Sequence, residues 1–345
     1  MRLLKRPEKL KRGDKVATIS LSWGGAGDPD LRWRYEQGIA RLRENFGLEV
    51  VAMPNSLKGS DILYQNPEAR AKDLMEAFID PSIKAIFSNI GGDDSIRLLP
   101  YIDFDVIRKN PKIFMGFSDT TITHLICLKA GVSSFYGPAI LTDFAENGAM
   151  HEYTVHAIER TLFSNQLIGN IESATEWTSE FIAWEETNKD RIRTMNPNAG
   201  YEVLQGKGRT QGHLIGGCIE VLEMAKGTNI WPEANIFENS ILFFETSEDT
   251  PEPSMVRYWL RNYGAQGILG KVNGIIFGKP IHEKYYEEYK KEISMVLTEY
   301  QLENLPVLYN MNFGHTEPKC ILPYGRMAEI NCDDKTFSII DHAVE

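Results

Sequence analysis

The residues that could carry chemistry cluster first at Phe114-Met115-Gly116-Phe117-Ser118-Asp119-Thr120-Thr121. The apolar stretch Lys112-Ile113-Phe114-Met115 reads as a buried strand. A Gly-x-Ser turn follows. Then comes an amphipathic helix with Ile122, Leu125, Ile126 and Leu128 on its apolar side and Gly131 as its stop. Strand, tight turn, serine, helix is the layout of a nucleophile elbow. It presents a serine oxygen at a helix N-terminus, where free N–H groups and the dipole favour developing negative charge. An N-cap serine gives the same local pattern, and the turn by itself does not choose between the two.

A serine hydroxyl needs a base, and the base needs an acid to fix its tautomer and stabilise its charged form. Glu245 directly follows the apolar run Ile241–Phe244, and His315 follows an apolar strand and a glycine. Ser118, Glu245 and His315 supply the three residue types in that order. Each alone has a plain alternative: a surface or packing histidine, a solvated glutamate at a strand end.

The elements that must position these groups alternate. Strands are expected at Lys15–Leu21, Leu48–Ala52, Ala85–Ile90 and before Ser118. Helices are expected at Arg32–Phe46, Pro67–Ile79 and from Ser95. Such alternation predicts a parallel sheet covered on both faces, with ligands at the strands' carboxyl ends. Gly91-Gly92-Asp93-Asp94 and Ser118 both fall there. Asp93 and Asp94 have the types to bind a metal or an amine, or to form a solvated turn. Gly24-Gly25-Ala26-Gly27 lacks the spacing of a phosphate cradle and reads as a flexible turn.

Residues 165 to 210 break the rhythm. The stretch Asn165–Gly200 is polar and irregular but carries Trp177, Phe181 and Trp184. A long loop of this kind is often functional, and exposed aromatics suit a stacking surface; the same rings could instead pin the loop to the core. The second half resumes with strands at Ser240–Phe244 and Val272–Gly278, and helices at Pro253–Tyr263 and Tyr285–Tyr300. Paired strands follow in Met327–Ile340. We expect an α/β chain of two domains. Residues 1–165 form a flavodoxin-like, parallel-sheet domain carrying the nucleophile. Residues 166–205 form a linker and aromatic loop. Residues 206–345 form a second α/β domain with paired strands.

Bulk properties narrow the function. Among 345 residues, 37 Lys+Arg stand against 48 Asp+Glu, a net charge of -11. That argues against a nucleic-acid binder, whose footprint is basic. No run approaches the roughly 18 apolar residues of a membrane span, and the basic N-terminus lacks an apolar signal core. A cytoplasmic protein is expected. Cys127, Cys218, Cys320 and Cys332 form no CxxC pair, and the seven histidines form no HxH or HExxH. Reduced thiols and no metal site are expected.

Four blocks then occur in order: Gly91-Gly92-Asp93-Asp94-Ser95-Ile96-Arg97-Leu98-Leu99, Gly116-Phe117-Ser118-Asp119, Leu242-Phe243-Phe244-Glu245-Thr246-Ser247-Glu248 and Asn312-Phe313-Gly314-His315-Thr316-Glu317-Pro318-Lys319. As a set they resemble the serine peptidase family of LD-carboxypeptidases and microcin C self-immunity carboxypeptidases. The resemblance runs from Gly13-Asp14 to Ile330. It implies a nucleophile at Ser118, an acid at Glu245 and a base at His315. It also implies an oxyanion hole from backbone N–H groups near Gly92-Asp93 and at Asp119. It further implies a homodimer and no cofactor.

The Gly91–Asp94 turn, the Glu245–Glu248 block and the aromatic loop look like the microcin C immunity branch. Those enzymes cleave an amide between an amino acid and a nucleotide-like group. Trp177, Phe181 or Trp184 would then stack on a purine. Cys218 departs from the family's usual Gly-Gly-Asn and puts substrate-side contacts in doubt. The alternative within the family is cleavage of an L,D bond in a cell-wall muropeptide. An alternative of another class is a two-domain solute-binding protein, against which the four blocks and the missing signal segment count.

Overall fold

Parallel strands covered by helices build the first sheet, as the alternation requires. The computed structural model describes residues 4–345. Strands β1 (Lys15–Ile19), β2 (Glu49–Ala52), β3 (Ile83–Ser88), β4 (Ile113–Gly116) and β5 (Phe135–Tyr136) lie in the order 2-1-3-4-5, all parallel. This is the flavodoxin order, with a switch point between β1 and β3 where ligands bind. β3 and β4 are almost wholly buried, which explains their continuous apolar runs.

The segment read as a linker supplies β6 (Gly169–Ile171), the short pair β7 (Glu176–Trp177) and β8 (Asn196–Pro197), and β9 (Glu202–Gln205). The second sheet contains β10 (Arg209–Cys218), β11 (Ser240–Glu245), β12 (Gly274–Gly278) and β13 (Val307–Met311), parallel to one another. β14 (Leu322–Pro323) leaves this half and pairs antiparallel with β5, so the first sheet is completed from the far end of the chain. β15 (Met327–Asn331) and β16 (Thr336–Ile339) pair antiparallel beside β10, as the tail's alternation predicts. β6 and β9 form the two edges of this eight-stranded sheet. Short edge strands borrowed from a polar segment show no alternation long enough to be read.

No helix among the described residues is long and apolar enough to cross a membrane. All four cysteines are free and buried.

One buried cation ties the switch point together. Arg70, fully buried in the helix Pro67–Ile79, binds both Asp94 oxygens at 2.6 and 3.0 Å. It also donates to the carbonyls of Leu21 and Ser22, at 3.0 and 3.1 Å. The turns after β1 and β3 are therefore held by one guanidinium. Burial alone would raise the Asp94 pKa, but Arg70, Ser22 and Arg97 outweigh it and hold the carboxyl below its ordinary range. Arg70→Met should leave the two carbonyls without this donor and Asp94 with Ser22 and Arg97 alone. We expect a loss of about 3 kcal/mol, read as a lower urea midpoint.

Candidate active site

Ser118 sits where β4 ends and the helix Thr121–Ala130 is about to begin, with φ at +62°. A serine in this left-handed region is strained, at a cost on the order of 1–3 kcal/mol, and such strain is characteristic of an elbow. An N-cap serine would have extended backbone geometry. The turn closes tightly because of a glycine: a Cβ on Gly91 would come within 3.0 Å of Ser118 Cβ and 3.3 Å of the Asp119 amide nitrogen. The Gly91-Gly92 turn therefore lies against both the hydroxyl and the Asp119 N–H. Asp119 itself is fully buried. Its carboxylate accepts the Ser95 N–H at 2.9 Å and its carbonyl accepts the Ser95 hydroxyl at 2.9 Å. Burial pushes its carboxyl pKa up.

Glu245 ends β11, and His315 follows Gly314 beyond β13. Gly314 has φ at +94°, and a Cβ there would come within 2.7 Å of Glu245 Oε2. The bare backbone thus lets the histidine fold over the carboxylate. His315 Nδ1 lies 2.6 Å from Glu245 Oε2, and Nε2 lies 3.1 Å from Ser118 Oγ. The three residues expected to act together are brought into one hydrogen-bonded line across the two sheets.

Tyr136, at the end of β5, was not singled out by sequence reasoning. Its hydroxyl accepts the Ser118 backbone N–H at 3.0 Å and donates to Glu245 Oε1 at 2.5 Å. Burial first, then the Glu245 charge, raise its pKa, so it stays a donor. A two-residue strand of Phe and Tyr gives no sequence signal beyond burial. Glu248 also reaches the site, 3.0 Å from His315 Nε2. Burial alone would lower the His315 pKa, but the Glu245 and Glu248 carboxylates outweigh it and raise it to about 10. His124, the other buried histidine near the elbow, bonds Gly116 O and Ser134 Oγ at 2.9 and 2.8 Å. Burial drops its pKa to about 3, leaving it neutral.

A cavity of about 1010 Å³ opens over Ser118 and His315. Phe181, Trp184 and Trp23 line it. Trp184 stacks on Trp23 with centroids 6.4 Å apart, and the Arg34 guanidinium lies 4.4 Å over its ring. Trp177 does not join them. It is buried in β7 with the Lys279 ammonium 4.2 Å over its ring, so its expected place on a stacking surface is corrected to a packing role. The aromatic loop is also pinned more firmly than its composition suggests. Thr178 and Glu317 exchange backbone hydrogen bonds, and Arg193 pairs with both Glu146 and Glu317.

Asp94 is spent on Arg70 and Arg97, while Asp93 is exposed at the cavity wall. No group of three or more His, Cys, Asp or Glu able to hold a metal occurs among the described residues. Cys218 lies outside the cavity wall, buried, with its thiol 3.2 Å from Glu220.

Models of the LD-carboxypeptidase N-terminal and C-terminal domains match residues 16–137 and 211–330. The microcin C7 self-immunity protein MccF of Escherichia coli is 32% identical over 314 residues, covering 89% of this chain and 88% of that one. A Bacillus subtilis protein named a probable murein peptide carboxypeptidase is 28% identical, covering 96% of this chain and 93% of that one. The crystal structure of an MccF-like protein from Streptococcus pneumoniae in complex with AMP superposes with a TM-score of 0.87 at 34% identity, covering 94% of this chain and 98% of that one. Two domain models in the right order, together spanning most of the chain, establish that it belongs to the LD-carboxypeptidase family of serine peptidases, family S66.

Proposed function

We propose that the protein hydrolyses an amide bond through a Ser118–His315–Glu245 triad and an acyl-enzyme, acting on aminoacyl-nucleotide compounds. The single observation that carries the reading is the line Ser118 Oγ, His315, Glu245, with contacts of 3.1 and 2.6 Å and a strained serine at its head. Neutral His315 takes the Ser118 proton at Nε2 as Oγ bonds the carbonyl carbon. Glu245 holds the Nδ1 proton and steadies the imidazolium. The tetrahedral oxygen carries the charge, and N–H groups of Gly92, Asp93 and Asp119 receive it. Each such donor is worth about 3 kcal/mol. His315 then protonates the leaving nitrogen as the C–N bond breaks. Water, deprotonated by the same base, releases the acyl group.

The substrate class rests on the aromatic wall. Phe181, Trp184 and Trp23 line a cavity large enough for a nucleoside. The AMP bound by the MccF-like relative supports this choice. The muropeptide reading draws on the Bacillus subtilis relative and is tested in the same assay.

Ser118→Ala and His315→Ala should each cut turnover by about 10⁴-fold or more with unchanged circular dichroism. Glu245→Gln should lose somewhat less. Near-normal turnover of Ser118→Ala would sink the triad. An active-site serine reagent should label the wild type in a burst, which a binding protein would not give.

Tyr136→Phe leaves a buried carboxylate oxygen and the Ser118 amide unpaired. We expect it to lower kcat about tenfold and to cost about 1–3 kcal/mol of stability in urea titration.

Purified protein should hydrolyse an aminoacyl sulfamoyl-adenosine in preference to an L,D-tetrapeptide. Trp184→Ala should raise KM for the adenosine compound roughly five- to a hundredfold, the scale of one stacked ring. Preference for the tetrapeptide with an unmoved KM would favour the muropeptide reading.

A further inference from the structure

The block that begins with Glu245 ends with a second carboxylate at the base. Glu248 Oε2 stands 3.0 Å from His315 Nε2, the same nitrogen that stands 3.1 Å from Ser118 Oγ. An ionised carboxylate only accepts, so at this distance it favours a proton on Nε2 and opposes a bare lone pair there. Nδ1 already donates to Glu245 at 2.6 Å. With Nε2 protonated as well, the ring is an imidazolium between two carboxylates. A general base needs a lone pair on Nε2. One nitrogen cannot satisfy Glu248 and take a proton from Ser118 at the same time.

The rest of the surroundings leave the contest to these groups. From β5, the Tyr136 hydroxyl is bonded to Glu245 and to the Ser118 amide. In the elbow, the Asp119 carboxylate is held by the Ser95 N–H. Phe117 packs edge-on against His315 with centroids 5.1 Å apart, and the Lys319 ammonium lies on that phenyl ring, 4.5 Å from its centre. Lys319 is itself paired with Asp143 and Glu317. Glu317, on the loop that carries His315, is bound to Lys319 and Arg193.

Glu248 is built to move. Its backbone neighbour is anchored, since the Ser247 N–H and hydroxyl both donate to Glu220 Oε1, at 2.9 and 2.8 Å. The Glu248 side chain beyond that anchor is 68% exposed and lines the cavity wall. His315 is its one ion-pair partner among the described residues. A group bound over Ser118 therefore meets Glu248, and rotation into solvent breaks its one ion pair, the contact with His315.

We propose that Glu248 is a positioning residue for the base, competing with Ser118 for Nε2 of His315 in the free enzyme and displaced when an acyl group binds. The inference rests on the triad reading above. As Glu248 leaves, the Nε2 proton passes to solvent. Ser118 then gives its own proton to the vacated lone pair as Oγ bonds the carbonyl carbon. His315, raised to about 10 in the free enzyme, would lose its proton at lower pH once one of its two carboxylates has gone.

Two measurements test it. The first needs no turnover: the His315 ring is titrated by NMR, its signals identified by their loss in His315→Ala. Glu248→Gln should lower the His315 midpoint by about one pH unit or more, whereas Asp249→Asn should move it much less. The same midpoint in wild type and Glu248→Gln overturns the proposal, whatever the substrate proves to be. The second is the pH dependence of an amide substrate's hydrolysis. The acid limb of kcat/KM reports the free enzyme and that of kcat the complex. In the wild type the kcat limb should lie about one unit or more below the kcat/KM limb. In Glu248→Gln the two should converge, with kcat/KM about tenfold higher on the acid side. Coincident limbs in the wild type overturn displacement. Loss of all turnover with the NMR shift intact would instead count against the triad reading alone.

Discussion

A carboxylate with no solvent contact dictates much of this structure. Glu245 ends a central strand of the second sheet and is buried. An ionised carboxylate in such a place is tolerated only when both oxygens are bonded. One oxygen takes the Tyr136 hydroxyl from the first sheet and the other takes His315 from the loop beyond β13. The acid is therefore a joint between two sheets as much as a member of a proposed triad. Because Tyr136 also receives the Ser118 amide, the strained elbow, the acid and the base form one connected network. Small shifts between the halves would be felt at once at the nucleophile, since contacts near 3 Å have little tolerance.

The second constraint is the switch point of the first sheet. Strand order 2-1-3-4-5 forces the turns after β1 and β3 to diverge and leaves a crevice between them. Here Arg70 bridges that crevice from beneath, through Asp94 and two carbonyls. What remains open above is backbone: the Gly91-Gly92 turn, set against Ser118. Bare N–H groups in a rigid turn suit a developing oxyanion because they need no reorganisation when charge appears.

Legibility in the sequence tracked the range of each interaction. Ser118 was readable because strand, turn and helix are contiguous, and the helix Pro67–Ile79 was readable because proline starts it and its apolar spacing is clean. Glu245 and His315 were weak candidates from their places at strand ends, and the resemblance joined them, since 70 residues separate them and spacing carries no sign of their meeting. Tyr136 was invisible for the same reason. β14 was missed because a two-residue strand that crosses to the other sheet has no periodicity to show. Trp177 misled because an aromatic in a polar segment looks the same whether it faces a ligand or a lysine stem; burial decides, and burial is a tertiary fact. Asp94, too, reads as a solvated turn until Arg70 is found beneath it.

The electrostatics of the cleft follow from where its cations are already committed. Arg34 and Arg193 both line the cavity. Arg193 is bound to Glu146 and Glu317, and Arg34 to the Leu141 carbonyl and the Asn147 side chain. Carboxylates outnumber them in the lining, Asp93, Glu248 and Asp249 among them. A site of this sign raises the proton affinity of any histidine within it and works against a neutral base. The proposed mechanism nonetheless needs that histidine neutral when the serine attacks. Exclusion of solvent by a bound substrate sharpens the conflict, because charges interact more strongly as water leaves. Glu245 cannot relieve it, being buried and bonded on both oxygens. Glu248 can, being the carboxylate of the pair with a path to solvent. On the proposed mechanism, the difference in burial between two glutamates three residues apart divides the work, with the fixed one orienting the ring and the movable one setting when its lone pair is available.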